Sequence, residues 1–327
     1  MSRSTWRWTG IALCSLVIAG PVEAGKPRQP QDAAVFGTFI GSTPCDGVRS
    51  LLDIPKTDLH LQWQLTLLTD PQTQKPASYQ FRGHYHTPVP GGRPSDTQDH
   101  LVEKSGRWSI TKGTPARADA VVYELEGLPA LCVITQDVLH LLHEDRTLML
   151  GGGGWSYSLS REEAAEEPGN RLLALAATGN DSYRLSPLAT GPSVFGIFNG
   201  RTPYNGINRV LGRPENPAGL KAKWRLTLLQ DPDTQAPTTY QLDGTFYRGN
   251  PRKGVWTIEQ GTASDPAAVV YHLHAAGGER PMLLLKGDDN VLFMLDQSWT
   301  PLVGHADFSY TLNRRPDEEK IAAEASK

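Results

Sequence analysis

Long apolar runs, a dominant charge and more than a few cysteines are all missing from this chain. Beyond the first 24 residues no stretch is apolar enough over enough length to span a bilayer. Lys and Arg number 32 against 35 Asp and Glu, a net charge of −3. That is too mild a balance for a nucleic-acid or anionic-lipid surface. No amphipathic helix of three turns stands out in the body of the chain, which leaves strands to build the fold. Enzyme signatures are missing too. Gly151–Gly154 read GGGG, but no helix and no Lys-Ser or Lys-Thr pair completes a phosphate loop. There is no G-x-S-x-G elbow. A non-enzymatic protein is the expectation.

Three cysteines are present, Cys14, Cys45 and Cys132. Cys14 lies in a segment with the layout of an export signal. Arg3 and Arg7 form a basic start, IALCSLVIAG an apolar core, and Val22 and Ala24 occupy the positions a signal peptidase reads. Cleavage after residue 24 leaves 303 residues, with 30 basic against 34 acidic. The expected address is the periplasm. Two cysteines in an oxidising compartment read first as one disulfide, Cys45–Cys132. The sharper alternative is a pair of free thiols forming a metal site.

What is abundant is repetition. VFGTFIGSTPCDGV from Val35 returns as VFGIFNGRTPYNGI from Val194, and WQLTLLTDPQTQKPASYQF from Trp63 as WRLTLLQDPDTQAPTTYQL from Trp224. GRWSITKGT from Gly106 returns as GVWTIEQGT from Gly254, and AVVY from Ala120 again from Ala268. The stretch from Val138 aligns without a gap on that from Val291. Blocks in one order mean a duplicated domain of usual size. The boundaries expected are copy one over 33–161, a linker over 162–190 holding one helical turn and a strand pair, copy two over 191–315, and a flexible tail over 316–327. Copy one carries an insertion at 86–100, rich in Pro, Gly and polar residues and expected as a surface loop.

Within each copy the period is two. HLQWQLTLL and KAKWRLTLL alternate polar and apolar residues, and DPQTQ and DPDTQ supply turns after them. Many short strands in ~125 residues predict an all-β chain of two tandem antiparallel barrels, closure removing exposed edges. Trp63/Trp224, Trp108/Trp256, Tyr79/Tyr240, Tyr123/Tyr271, Trp155/Phe308 and Tyr157/Tyr310 recur between copies. Recurrence points to a filled barrel interior, with an apolar ligand cavity as the alternative. Binding residues are sought in the opening loops, Thr43, Pro44, Cys45 and Asp46 with Thr202, Pro203, Tyr204 and Asn205. His84 with His86, and His272 with His274, each put two imidazoles on one strand face. Copy one has Glu124 and Glu126 opposite the second pair, so a solvated face is the simpler reading. His140 and His143 fall on opposite faces of their strand and cannot chelate together.

The VFGTFIGSTPCDGV opening with its Gly-x-x-Pro, the W-x-L-T-L strand, the G-x-W strand and the closing FSYTLNR resemble the N-terminal domain of the lipoprotein NlpE, a copper-resistance and envelope-stress family. The resemblance covers roughly 33–161 and 191–315. It implies eight-stranded lipocalin-like barrels without enzymatic activity, and a role in copper homeostasis or envelope-stress sensing. The family's loop carries Cys-x-x-Cys after the proline. Here only Cys45 follows Pro44, and Tyr204-Asn205 stand in copy two, so a copper site at that loop does not carry over. No lipid-acceptor cysteine is present either. The function expected is binding of an envelope protein or small ligand, with carriage of a small apolar molecule as the alternative.

Overall fold

The computed structural model describes residues 33–56, 60–91, 93, 96–152, 154–167, 187–188, 193–262 and 264–324. The expected signal segment lies outside these residues, as does nearly all of the expected linker strand pair.

Two closed eight-stranded antiparallel barrels follow one another along the chain. The first runs β1 (Ala34–Pro44), α1 (Arg49–Leu52), β2 (His60–Thr69), β3 (Pro76–Pro88), β4 (Thr97–Lys112), β5 (Val121–Leu125), β6 (Leu131–Thr135), β7 (Val138–Leu141) and β8 (Ser158–Arg161). The second runs β9 (Val194–Pro203), α2 (Tyr204–Leu211), β10 (Lys221–Gln230), β11 (Pro237–Gly244), β12 (Arg252–Gln260), β13 (Val269–Ala275), β14 (Met282–Lys286), β15 (Val291–Leu295) and β16 (Thr311–Arg314). Each strand pairs with its neighbour in sequence, and β1–β8 and β9–β16 close the two cylinders. Glu162–Ala164 make a single 3₁₀ turn after β8.

The period-2 pattern sends its apolar set inward. Phe39, Leu61, Trp63, Leu65, Tyr79 and Phe81 fill barrel one, and Phe198, Trp224, Leu226, Tyr240, Leu242 and Trp256 barrel two. The indole N–H groups are satisfied in the same way in both. Trp63 and Trp224 donate to Thr43 and Thr202 at 2.9 Å, and Trp108 and Trp256 to the carbonyls of Leu68 and Leu229. A register shift near the start of β1 and of β9 leaves Phe36 and Phe195 as extra residues. Each packs its ring against a Trp–Tyr pair, tilted on the indole and edge-on to the phenol, Trp108 with Tyr123 and Trp256 with Tyr271. Trp155 and Phe308 depart from the recurring set. They lie outside the interiors, Trp155 stacked on His60 at 5.0 Å and under Arg201 at 4.5 Å, Phe308 under Lys221.

Two segments differ from the sequence reading. The insertion at 86–100 lengthens the hairpin instead of forming only a loop, with β3–β4 pairing continuing from His84–Leu101 to Pro88–Thr97. The segment read as a flexible tail is helical over α3 (Pro316–Glu324), because Glu319 accepts from the Ile197 amide and Arg314 while Glu318 accepts from Asn199.

The barrels meet face to face about an approximate two-fold axis. Equivalent residues touch each other there. Ser158 Oγ lies 2.8 Å from Thr311 Oγ1, the His140 ring meets Phe293 edge-on at 5.5 Å, and Arg117 pairs with Asp265. Off the axis the contacts are reciprocal. The Gly151 amide donates to Asn313 Oδ1 at 2.9 Å, and the equivalent Gly304 amide donates to Ser160 Oγ at 3.0 Å. A Cβ on either glycine would meet a carbonyl, Trp155 O at 2.1 Å or Phe308 O at 2.3 Å, so neither position accepts a side chain. Such i-to-j and j-to-i pairing is the pattern of an isologous dimer, here within one chain. Ala120, Val122, Cys132, Leu142, Leu148, Val291 and Phe293 form its apolar seam. Glu166 of the linker crosses to barrel two, where Tyr310 donates to its Oε2 at 2.8 Å and Arg209 pairs with its other oxygen.

Candidate functional site

The opening loops are built into the barrels. Thr43 and Thr202 are fully buried acceptors of the tryptophan N–H groups, and Pro44 and Pro203 end β1 and β9. Cys45 is 2 % exposed within the core of barrel one. Tyr204, its counterpart, opens α2 and packs on Phe246 with ring centroids 4.7 Å apart. Asp46 is exposed and pairs with Arg49. Asn205 Oδ1 accepts from the Asn216 amide at 2.9 Å.

Among the described residues Cys45 and Cys132 are free thiols, and the expected Cys45–Cys132 disulfide is not formed. The reason is topological. Cys45 belongs to the interior of barrel one, whereas Cys132 on β6 faces outward into the seam between barrels. Burial pushes both thiols up to about 11, so neither offers the thiolate that a soft metal needs. The same separation removes the two-thiol metal site.

The histidines divide sharply. His84 and His86 lie on the extended hairpin, where His86 Nδ1 sits 3.5 Å from Asp99. His140 is fully buried at the seam between Ser158 Oγ and the Met149 carbonyl, both at 2.9 Å, and burial holds its imidazole down at about 4. His143 is exposed in a turn. His272 and His274 project together from β13, their rings stacked at 3.9 Å. The neighbouring strand β12 adds Glu259, whose Oε1 lies 2.7 Å from His272 Nδ1. One ligand-capable atom from each of the three falls within 4.8 Å of the others. The sequence reading missed Glu259 because it stands 13 residues from His272. What places it is the β12–β13 register, Thr257 opposite His272 and Glu259 opposite Val270, which spacing along the chain does not display.

Concave surface gathers between the barrels. A groove of about 780 Å³ is walled by Val133 and Ile134 of barrel one and Leu285, Trp299 and Pro301 of barrel two. A second hollow of about 660 Å³ adjoins it, sharing Arg117, Leu148 and Lys286. The two are near-mates under the two-fold. Arg146 lines the second hollow where its counterpart Trp299 lines the first, and both hold left-handed backbone, φ 64° and 66°. Asp296 fixes the Trp299 turn by accepting from the Ser298 and Thr300 amides at 2.8 and 3.0 Å. Among the described residues no helix is long and apolar enough to cross a membrane.

Neither the family models, nor the curated proteins, nor the solved structures contain a match to this chain.

Proposed function

We propose that the chain is an exported, non-enzymatic binding protein, and that the groove between its barrels receives a small molecule with a flat apolar body and a polar group. The observation that carries this reading is the groove itself. The barrel interiors are occupied by their own aromatic side chains, so the carrier role read from the sequence moves from inside a barrel to the space between two. Its volume suits a small ligand at a domain interface. Ile134, Leu285 and Trp299 supply apolar walls, and Thr135, Gln136 and Lys286 supply polar groups at the rim.

Titration with the fluorescent probe 1-anilinonaphthalene-8-sulfonate tests it. One saturable site is expected, weakened by Trp299→Ala and by Ile134→Arg. Equal binding to the parent and both variants would remove the groove from the account.

A role in copper homeostasis or envelope stress is the finer reading that the family resemblance implies. The free, buried thiols lend it nothing. Support for a metal comes from a different set of side chains.

A further inference from the structure

We infer that Glu259, His272 and His274 form a binding site for one divalent first-row transition ion. The site lies on the outer face of barrel two, beside the groove wall at Trp299, and stands or falls without the groove reading.

Three observations converge. The first is donor placement. Two imidazoles from alternate residues of β13 and a carboxylate from β12 put three potential ligand atoms within 4.8 Å of one another. Two nitrogens and an oxygen suit Zn(II) or Cu(II), which accept imidazole and carboxylate together. Mg(II) and Ca(II) prefer all-oxygen cages.

The second is an unspent donor. His272 Nε2 is buried and has no hydrogen-bond partner, although the other nitrogen of the ring contacts Glu259. A buried polar atom of this kind normally costs free energy unless something satisfies it. The surroundings hold the ligands in place. Thr257 Oγ1 lies 3.0 Å from His274 Nε2 and 3.4 Å from Glu259 Oε1, and the Trp299 ring stands edge-on to His272 at 6.2 Å. Outer contacts of this type orient metal ligands.

The third comes from the duplication. The equivalent positions in barrel one hold Thr111, Glu124, Glu126 and Arg146 in place of Glu259, His272, His274 and Trp299. There Arg146 pairs with Glu124, and Thr111 donates to the same carboxylate at 3.1 Å. Barrel one thus presents a closed ion pair where barrel two presents donors. Four positions that meet in space differ together between otherwise matching scaffolds, which a merely solvated face does not require.

The test uses the untagged full chain, stripped with a chelator, and titrated separately with Zn(II) and Cu(II) by calorimetry and Trp fluorescence. One ion per chain is expected, and Cu(II) should quench Trp299 emission because that ring stands beside His272. His272→Gln and His274→Gln should each weaken binding by about tenfold or more, and Glu259→Gln likewise. All three lie on an outer strand face, so each variant is expected to fold. His84→Gln/His86→Gln serves as the control that leaves the affinity unchanged. No binding below millimolar metal, or binding untouched by the His272→Gln/His274→Gln double variant, would overturn the site. Binding of Zn(II) with Cu(II) excluded, or the reverse, fixes which ion it serves.

Discussion

A histidine sealed between two barrels makes the protein sensitive to acid. Unfolded, an imidazole takes up a proton near pH 6.5. His140 in the fold does so only at about 4, because burial disfavours its charged form. Between those values the unfolded chain binds more protons than the native one, so stability falls as pH falls through that window. The full swing is about 3 kcal/mol. Copy two carries Phe293 at the same place, so His140→Phe fits the seam in size. Urea midpoints at pH 7.5 and 4.5 should differ less in this variant than in the parent. An equal difference would show that His140 is not the acid-sensitive group. The thiols make a second prediction at this scale. Cys45 and Cys132 are buried and held protonated, so alkylating reagent should leave both untouched in the native state and modify both after denaturation without reductant. A mass lacking both additions in the denatured sample would restore the disulfide.

Among the elements, the hairpin turns hold strain that a sequence pattern does not display. Gln74 ends the β2–β3 turn at φ 56° and Gln235 the β10–β11 turn at φ 58°, a backbone region that favours glycine. Asp70 and Asp231 stabilise these turns by accepting from the amides two and three residues on. Gln235 is exposed, and Gln235→Gly is expected to stabilise by about 0.5–1 kcal/mol, seen as a higher Tm. A lower Tm would mean that the turn has no strain to release. The Asp-Pro turns themselves were legible in the sequence, as were the alternating strands and both barrels. The fate of particular side chains was not. Thr43 and Cys45 sit in a loop-like motif yet point into a core, because β1 runs on to Pro44 and α1 folds over the barrel mouth. Glu259 meets His272 only through strand register, which depends on where β12 and β13 pair and leaves no trace in spacing along the chain.

The molecule as a whole behaves as a dimer written into one chain. An apolar seam crossed by reciprocal hydrogen bonds should couple the barrels, and one calorimetric transition is expected in place of two. The partly exposed Arg117–Asp265 pair adds little to this, up to about 1 kcal/mol. Arg117→Asp should therefore cost about that much, and the swap with Asp265→Arg should restore it. A failure of the swap to recover stability would mean that the pair matters through other neighbours.

The approximate axis also dates events in the history of the chain. In a symmetric ancestor built from two identical copies, any residue on the axis faces itself. Serine opposite serine, or threonine opposite threonine, can share a hydrogen bond, so the Ser158–Thr311 contact is compatible with such a parent. Arginine facing arginine, or aspartate facing aspartate, would repel. The Arg117–Asp265 pair, and the joining of imidazole to phenyl at His140–Phe293, therefore arose after the two copies became separate sequences. Separate sequences free each half to change without its mirror image changing too, and the Glu259, His272 and His274 cluster on barrel two is an asymmetry that two identical copies could not hold.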